Sequence, residues 1–429
     1  YTATGKVASE TRPIGLQLSL DYYAGNDRLQ TRTETDTATG ASRITRWTYL
    51  PTGEVATLTQ AYGTLEATTL TFGYDDARRL VRITDGLGNS IEYTLDTEGN
   101  REAEKIYDDT GVLKKQLTQA FDIYNQLETT AQANETVDYD YAPDGTLDRQ
   151  TDGRGSVTDY DYDALRRLTR TVQDAAGSDP TTSGAAVEYA YDAQDNLTAV
   201  TDPIDGTTTY AYDDLGNLIS QTSPDSGTTT FRYDAAGNLI EKTDAKGQVF
   251  TYTYDALNRL TAIDGPGIGR DVSYVYDTCP NGQGRLCRLV RGDASLDYTY
   301  TAFREIAQTD QAVETWSGFQ TAAGSVAYTH DAAGRLTSIR YPSGAQVDYT
   351  FNASGNITAV QLQYGGINTS LLQNGNYRPF GELMSAMLGN GQQYYEWYDQ
   401  AYRPLWRYSG PYNSSFGVQI GKYSPINHR

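Results

Sequence analysis

The residues of this sequence whose types could do chemistry are above all Tyr and Asp, which recur as adjacent pairs. A phenol beside a carboxylate could serve in acid–base catalysis. A catalytic site, however, is normally built once, whereas these pairs return at fixed intervals. The regular pairs begin at Tyr191, Tyr212, Tyr233, Tyr254 and Tyr276, so three intervals of 21 residues are followed by one of 22. The recurrence predicts a structural role, in which Tyr packs across strands and Asp fixes a turn.

Two clusters of Asp could bind calcium, because Ca²⁺ prefers clustered carboxylates. One cluster holds Asp138, Asp140 and Asp144, and the other holds Asp159, Asp161 and Asp163. Alternating Asp residues on a strand share one face but have no loop that wraps an ion, so we interpret them as solvated carboxylates. Two Cys and two His residues are too few for a zinc site. We predict neither a metal nor a cofactor.

The two cysteines, Cys279 and Cys287, flank a Pro-Asn-Gly turn. Such a turn would bring the ends of a hairpin together, which favours a disulfide. The alternative is a pair of reduced structural thiols. A disulfide would imply an oxidising compartment.

The elements that must position these residues are short strands and turns, as residues 231–255, FRYDAAGNLIEKTDAKGQVFTYTYD, illustrate. Residues 234–238 predict a turn, since Asp bonds backbone amides ahead of it and Gly and Asn tolerate positive φ. Residues 239–243 predict a strand and 244–247 a second turn. Residues 248–254 predict a strand in which aromatic residues alternate with Thr and Val. Each repeat is therefore predicted to be two antiparallel strands and two turns, and no run predicts a convincing helix.

Earlier copies of the same frame begin at Tyr74 and Tyr162, so nearly the whole chain is one array. The predicted structural residues are the Tyr and Asp of each pair and two of the glycines that follow: Tyr74, Asp75, Tyr162, Asp163, Tyr191, Asp192, Tyr212, Asp213, Gly216, Tyr233, Asp234, Gly237, Tyr254, Asp255, Tyr276 and Asp277.

An array of this kind predicts an all-β fold, a continuous antiparallel sheet of hairpins. Thirty or so strands spaced about 4.8 Å apart would make a ribbon about 140 Å long if it were flat. Long sheets twist and curl, so we predict that the ribbon coils into a spiralling sheet, an open or partial hollow shell. One hairpin cannot bury a face alone, so stability must come from neighbouring repeats.

Composition and charge exclude several kinds of partner. The chain has 36 Tyr but only 9 Phe, a hydrophobic fraction of 38% and a formal net charge of −21. This acidity argues against nucleic acid, because phosphate binding needs clustered Lys and Arg. It disfavours an anionic membrane surface for the same reason, and no apolar run is long enough to span a membrane, so we predict no membrane insertion.

Aromatic residues on a polar sheet could also bind sugars by stacking. The candidates for such ligand stacking are Trp316, Trp397 and Trp406, together with the cluster YYEWYD at 394–399, which contains Trp397. Packing between sheet layers is the alternative, and we favour it.

The pattern Tyr-Asp-x-x-Gly-Asn/Arg-Leu-x-x-x-Thr-Asp, which begins at 191, 212, 233, 254 and 328, resembles the RHS or YD repeat. The segment 377–405 resembles a further element of such arrays, and so does the insertion between the two cysteines. The resemblance covers residues 1–408. It implies a spiralling β-sheet that closes into a hollow shell, as in polymorphic toxins, toxin-complex proteins and teneurins.

The resemblance implies a non-enzymatic scaffold whose partner is an enclosed effector or toxin segment, or further RHS repeats of the same protein. No Asp-Pro-x-Gly core segment of the self-cleaving kind is found, so we assign no catalytic residue. The alternative is an adhesive module at a bacterial cell surface that binds a glycan. A secreted or cell-surface location follows from the resemblance and the predicted disulfide. We divide the chain into a repeat array at 1–408, irregular around 100–135 and 301–327, and a tail at 409–429.

Overall fold

The computed structural model describes residues 1–12, 15–133, 135–174, 184–204, 206–267, 269–313 and 322–411. Within them the chain consists of strands and turns, because runs of alternating Thr, Tyr and Val favour strands and Asp-x-x-Gly clusters interrupt them. The strands are β1 (Ser9–Thr11), β2 (Leu16–Tyr22), β3 (Leu29–Asp36), β4 (Ser42–Tyr49), β5 (Val55–Gln60), β6 (Thr68–Tyr74), β7 (Leu80–Thr84), β8 (Ser90–Leu95), β9 (Arg101–Tyr107), β10 (Leu113–Phe121), β11 (Leu127–Gln132), β12 (Glu135–Tyr141), β13 (Leu147–Thr151), β14 (Val157–Tyr162), β15 (Leu168–Asp174), β16 (Ala185–Tyr191), β17 (Leu197–Thr201), β18 (Thr207–Tyr212), β19 (Leu218–Ser223), β20 (Gly227–Tyr233), β21 (Leu239–Thr243), β22 (Val249–Tyr254), β23 (Leu260–Asp264), β24 (Val272–Tyr276), β25 (Leu286–Arg291), β26 (Ala294–Tyr300), β27 (Ile306–Val313), β28 (Ala322–His330), β29 (Leu336–Arg340), β30 (Gln346–Phe351), β31 (Ile357–Tyr364), β32 (Ile367–Tyr377), β33 (Leu383–Leu388), β34 (Gln392–Tyr398) and β35 (Pro404–Pro411).

Every strand pairs antiparallel with the next one along the chain, so the 35 strands form one continuous sheet. The register shifts by one residue at the Tyr of each regular repeat: Tyr254 pairs with Leu260, while Tyr252 pairs with Ile263. Such a bulge bends the strand and increases its twist, and its recurrence in successive repeats curves the whole sheet. The prediction of an all-β, spiralling hairpin array is confirmed.

The turns of the sheet lie along two edges. The turns that follow the Tyr of each repeat, such as 233–238 and 254–259, form what we call the Tyr-Asp edge. The turns between repeats, such as 85–89 and 244–248, form the opposite edge.

The sheet has little core. Few described side chains are buried, and Leu16 is the largest of the fully buried ones. The chain exposes 25683 Å², whereas a compact protein of 47.2 kDa would expose about 16,000 Å². Most Tyr side chains are half-buried against their neighbours on one face of the sheet, and the other face carries Thr, Ala and charged residues. The sheet is therefore one layer over much of its length, with both faces in water.

Candidate functional site: the corners and edges of the coiled sheet

The Tyr-Asp corner is held together by the carboxylate of its Asp. In the corner at 233–238, one oxygen of Asp234 accepts hydrogen bonds from the backbone amides of Ala236 and Asn238, both at 2.9 Å. The other oxygen accepts from the Asn238 side chain at 2.9 Å. Gly237 takes φ 83, which glycine adopts without strain. The hydrogen bond from the Asn238 side chain, with those from the backbone, lowers the pKa of Asp234.

The Tyr of each corner reaches back to the preceding repeat. The hydroxyl of Tyr254 donates to the carbonyl of Leu239 at 2.9 Å, and that of Tyr233 donates to Leu218 at 3.0 Å. The same bond recurs from Tyr276 to the Leu of its own preceding repeat. Burial raises the pKa of these phenols, so they stay protonated donors. One corner thus fastens its strand to the strand before it.

Long side chains join one corner to the next. Arg259 bonds the carboxylate of Asp255 in its own corner at 2.7 Å and that of Asp277 in the following corner, also at 2.7 Å. Its guanidinium lies 4.4 Å from the ring centre of Tyr276, a cation–π contact. Arg167 likewise pairs with a carboxylate of the next corner, that of Asp195, and lies over the ring of Tyr191. The charged groups of these residues are engaged in ion pairs and hydrogen bonds with one another, which favours a structural role over a catalytic one.

A disulfide closes the one corner that carries an insertion. Cys279 and Cys287 are bonded, with their Cα atoms 5.4 Å apart. Gly282 lies against the bridge, where a Cβ would come within 2.3 Å of one sulfur. The inserted loop is tied to the corner itself, since the amide of Gly284 donates to Asp277 at 2.6 Å. The insertion therefore extends a normal corner without breaking the ladder.

The coil brings distant turns into contact along a line that we call the seam. Along it, the opposite-edge turns of residues 37–135 meet the Tyr-Asp corners of residues 301–403. Arg43 forms an ion pair with Glu305, and Arg403 forms one with Glu135. These partners are 262 and 268 residues apart in sequence, so one winding of the sheet takes roughly that many residues.

Hydrogen bonds and close packing continue along the seam. Ser354 donates to Asp85 at 2.7 Å, and Arg378 donates to the carbonyl of Lys114 at 2.9 Å. Gly86 is close enough to the next winding that a Cβ there would lie 2.8 Å from the carbonyl oxygen of Ala353. Local sequence patterns missed the seam, since its partners share no motif and are far apart in the chain.

The last described hairpin, β34–β35, reverses the polarity of the two faces. In β22 the Tyr face carries Phe250, Tyr252 and Tyr254. The equivalent positions in β34 hold Tyr394, Glu396 and Tyr398.

Glu396 is only 6% exposed. It accepts hydrogen bonds from both neighbouring Tyr hydroxyls and pairs with Arg407 at 2.7 Å. Burial alone would raise the pKa of Glu396, but these hydrogen bonds outweigh it and lower the pKa.

The other face of the same hairpin is aromatic where the rest of the sheet is polar. Trp397 lies directly opposite Trp406, with ring centres 4.3 Å apart, and Tyr395 and Tyr408 extend the row. Trp397 is 48% exposed. Two of the predicted stacking residues are thus brought together, and Trp316 lies outside the described residues. Sugar stacking on this row remains a prediction.

Neither a metal cluster nor a membrane-spanning helix is found in the described part of the chain. It contains no group of three or more His, Cys, Asp or Glu side chains that could hold a metal ion. No described helix is long and apolar enough to cross a membrane.

Comparison with known proteins finds a family whose repeat matches this chain and solved structures with a similar fold. The model of the RHS repeat family matches residues 191–228, 212–249, 233–267, 320–346 and 330–364. No curated protein matches the chain.

Among solved structures, the fold resembles the crystal structure of TcdB2-TccC3, with a TM-score of 0.64 and 13% identity over 96% of this chain and 27% of that one. It also resembles the Photorhabdus luminescens Tc holotoxin pore carrying a TccC3 mutation, with a TM-score of 0.66 and 13% identity over 94% of this chain and 22% of that one. At this identity the likeness concerns the fold, and the chain spans only about a quarter of the length of these structures.

The family matches fall where the corners are most regular, and the same corner geometry recurs outside them, for example at Asp75 and Asp163. The chain therefore contains RHS repeats, over residues 191–267 and 320–364, in an all-β fold similar to that of these two structures.

Proposed function

We propose that this chain is a non-enzymatic part of an RHS-type shell that encloses or displays an effector segment, in a secreted bacterial protein. The observation that carries the proposal is the size of one winding. Arg43 lies in β4 and its partner Glu305 lies between β26 and β27, so one winding contains about 23 strands. At about 4.8 Å per strand its perimeter is about 110 Å, which corresponds to a circle about 35 Å across.

A ring of this width can avoid an empty interior in two ways: its opposite walls can pack against each other, or a guest can fill the space between them. A collapsed ring would press its faces together about 10 Å apart and bury them, as in a sandwich. The described side chains are instead mostly half-buried or exposed, and the chain's surface far exceeds that of a compact protein. A single-layer sheet is about 10 Å thick, so the winding leaves room for a guest about 25 Å wide.

Two observations support a structural role over catalysis. The repeated Tyr and Asp side chains bond one another and the backbone in corner after corner, as Asp234 and Tyr254 illustrate. The RHS repeat and the Tc-toxin structures share this architecture. The second of these structures is a Tc holotoxin, which supports a toxin effector as the guest of this chain too.

The proposal is tested by small-angle X-ray scattering and electron microscopy of the purified chain. A compact globule of this length would have a radius of gyration of about 22 Å. We expect a larger value and a particle with low density at its centre. A compact particle, or an uncurved ribbon, would contradict the shell.

A glycan array separates the scaffold from the adhesive alternative. We expect no binding that depends on the aromatic row of β34–β35. Strong sugar binding that is abolished by Trp397→Ala would contradict a purely structural function.

A further inference from the structure

The disulfide lies one corner before the point at which the second winding meets the first. The corner that contains it, residues 277–285, is the inserted corner, and its loop contacts the next corner along the same edge, residues 301–305. We call 301–305 the closing corner, because its Glu305 forms the ion pair with Arg43 of the first winding. It is the first Tyr-Asp corner along the chain that bonds to another winding within the described residues.

The inserted corner lacks the short turn that closes a regular corner. In a regular corner the Asp carboxylate accepts hydrogen bonds from the backbone amides two and four positions ahead, as Asp234 does. Asp277 instead accepts a hydrogen bond from the amide of Gly284, seven positions ahead. The longer loop between them is held by the bond from Cys279 to Cys287. The disulfide therefore takes over, in this corner, part of the role that the Asp has in the others.

The loop that the disulfide holds binds the backbone of the closing corner. The side-chain amide of Asn281 donates to the carbonyl of Tyr300 at 2.8 Å, and the amide of Tyr300 donates to the carbonyl of Pro280 at 3.4 Å. Tyr300 is only 9% exposed, and its hydroxyl donates to the carbonyl of Leu286, the residue before Cys287, at 2.6 Å. Three polar groups of Tyr300 are thus bonded to residues beside the disulfide.

The closing corner passes this restraint to the seam. It has no Asp of its own, and the hydroxyl of Thr301 accepts the amide of Glu305 in its place, at 3.2 Å. The Glu305 carboxylate bonds the same hydroxyl and pairs with Arg43. The guanidinium of Arg43 also lies 4.1 Å from the ring centre of Phe303, a cation–π contact. A continuous series of contacts therefore runs from the disulfide through Tyr300 to the first winding.

We propose that the Cys279–Cys287 disulfide is a redox switch of the seam, whose reduction frees the loop at Asn281 and weakens the contact of Glu305 with Arg43. A dithiol supplies the two electrons. One of its thiolates attacks the sulfur of Cys279, because Cys287 is only 3% exposed, and Cys287 leaves as a thiolate and takes up a proton. The second thiol of the reductant then attacks the mixed disulfide, which releases the Cys279 thiol and leaves the dithiol oxidised to a cyclic disulfide.

The coupling between the disulfide and the seam does not depend on what the chain encloses. Its consequence for a guest rests on the proposed shell function. The windings would stay joined at the closing corner in an oxidising environment and would part there in a reducing compartment, where such disulfides do not persist.

Hydrogen exchange of the folded chain, read by mass spectrometry with and without dithiothreitol, tests the proposal. On reduction we expect exchange to become about five-fold faster in the closing corner and in β4 around Arg43, which is the effect of losing about one hydrogen bond. Exchange should stay unchanged at the far end of the seam, where Arg403 pairs with Glu135. A chain that carries both Cys279→Ser and Cys287→Ser should show the faster exchange with and without the reductant.

Asn281→Gly tests the path of the coupling. Glycine tolerates the positive φ of Asn281, 55, but lacks the side-chain amide that bonds Tyr300. With the disulfide intact, this variant should already show the faster exchange around Arg43, and reduction should add little. Asn258→Gly is the matched control, since Asn258 takes φ 57 in a regular corner away from the seam, and it should leave exchange around Arg43 unchanged.

Reduction that speeds exchange only within residues 279–287 would overturn the proposal, because the disulfide would then act on its own corner alone. A change spread evenly over the chain would overturn it too, as would an Asn281→Gly variant that responds to reduction as strongly as the wild type. Scattering from the oxidised chain judges the shell separately. A compact particle in which exchange around Arg43 still responds to reduction would contradict the shell function and leave the switch standing.

Discussion

The hydroxyl of a corner Tyr should stabilise its repeat measurably, and β22 offers a matched comparison. Tyr254 donates a hydrogen bond to the Leu239 carbonyl at 2.9 Å. Tyr252 lies two residues away on the same face of the same strand, and its hydroxyl bonds no described residue. Replacing each by Phe removes the same atom, so only the hydrogen bond differs.

The expected loss of stability is that of one hydrogen bond, because Tyr254→Phe leaves the Leu239 carbonyl without its donor. A part-buried hydrogen bond contributes about 1 kcal/mol to stability, since water replaces it in the unfolded chain. Tyr254→Phe should therefore lower the free energy of local opening by about 1 kcal/mol, which speeds amide exchange about five-fold. Tyr252→Phe should change the rate much less.

Hydrogen exchange read by mass spectrometry is the suitable assay, because a repeat array can open locally without unfolding throughout. The faster exchange should concentrate in β21 and β22, the two strands that the bond joins. Equal effects from the two substitutions, or an effect spread evenly along the chain, would refute the corner as the fastening between repeats.

Three further predictions concern charge, the disulfide and the seam. Backbone and side-chain hydrogen bonds from Arg259 hold the pKa of the corner carboxyl of Asp255 below its usual value. The stability that this carboxylate contributes is therefore present above about pH 4 and is lost as pH falls through the lowered pKa. Urea titrations between neutral and acidic pH should show this loss, and an Asp255→Asn variant should show less of it. Replacing Cys279 and Cys287 by Ser should destabilise the inserted corner by about 2 to 3 kcal/mol, seen as faster exchange near the insertion, and unchanged exchange there would contradict it. Arg43→Ala leaves a half-buried Glu without its partner, which should cost about 1 to 3 kcal/mol and loosen both sides of the seam in hydrogen exchange, whereas Arg232→Ala, which breaks an exposed pair within one winding, should not.

The sequence predicted what depends on short distances along the chain. The alternation in 248–254 and the Asp-x-x-Gly turns indicate strands and corners, and the structure has them where those residues lie. The curvature of the sheet also has a local origin, because the bulge at each Tyr recurs in the same register. Repetition made these local signals strong enough to establish the fold.

The seam and the pairing of side chains in β34–β35 depend on contacts between residues far apart in sequence or on different strands, which a local sequence pattern does not reveal. Arg43 meets Glu305 only because the sheet's curvature returns it after 262 residues. The reversal of polarity in β34–β35 was missed for a different reason. The cluster YYEWYD alternates as other strands do, and only cross-strand register shows that Glu396 faces Arg407 while Trp397 faces Trp406.

The two kinds of contact explain how one repeat can build a coiled sheet whose windings join. Corner bonds such as that from Tyr254 to Leu239 act between neighbours, so they allow the sheet to grow by any number of repeats but cannot fix its width. Seam bonds such as that between Arg403 and Glu135 act between windings, so they select the curvature at which distant turns meet. If the proposed shell function is right, enclosing a guest requires the windings to join, so that function depends on the seam rather than on any single Tyr-Asp pair.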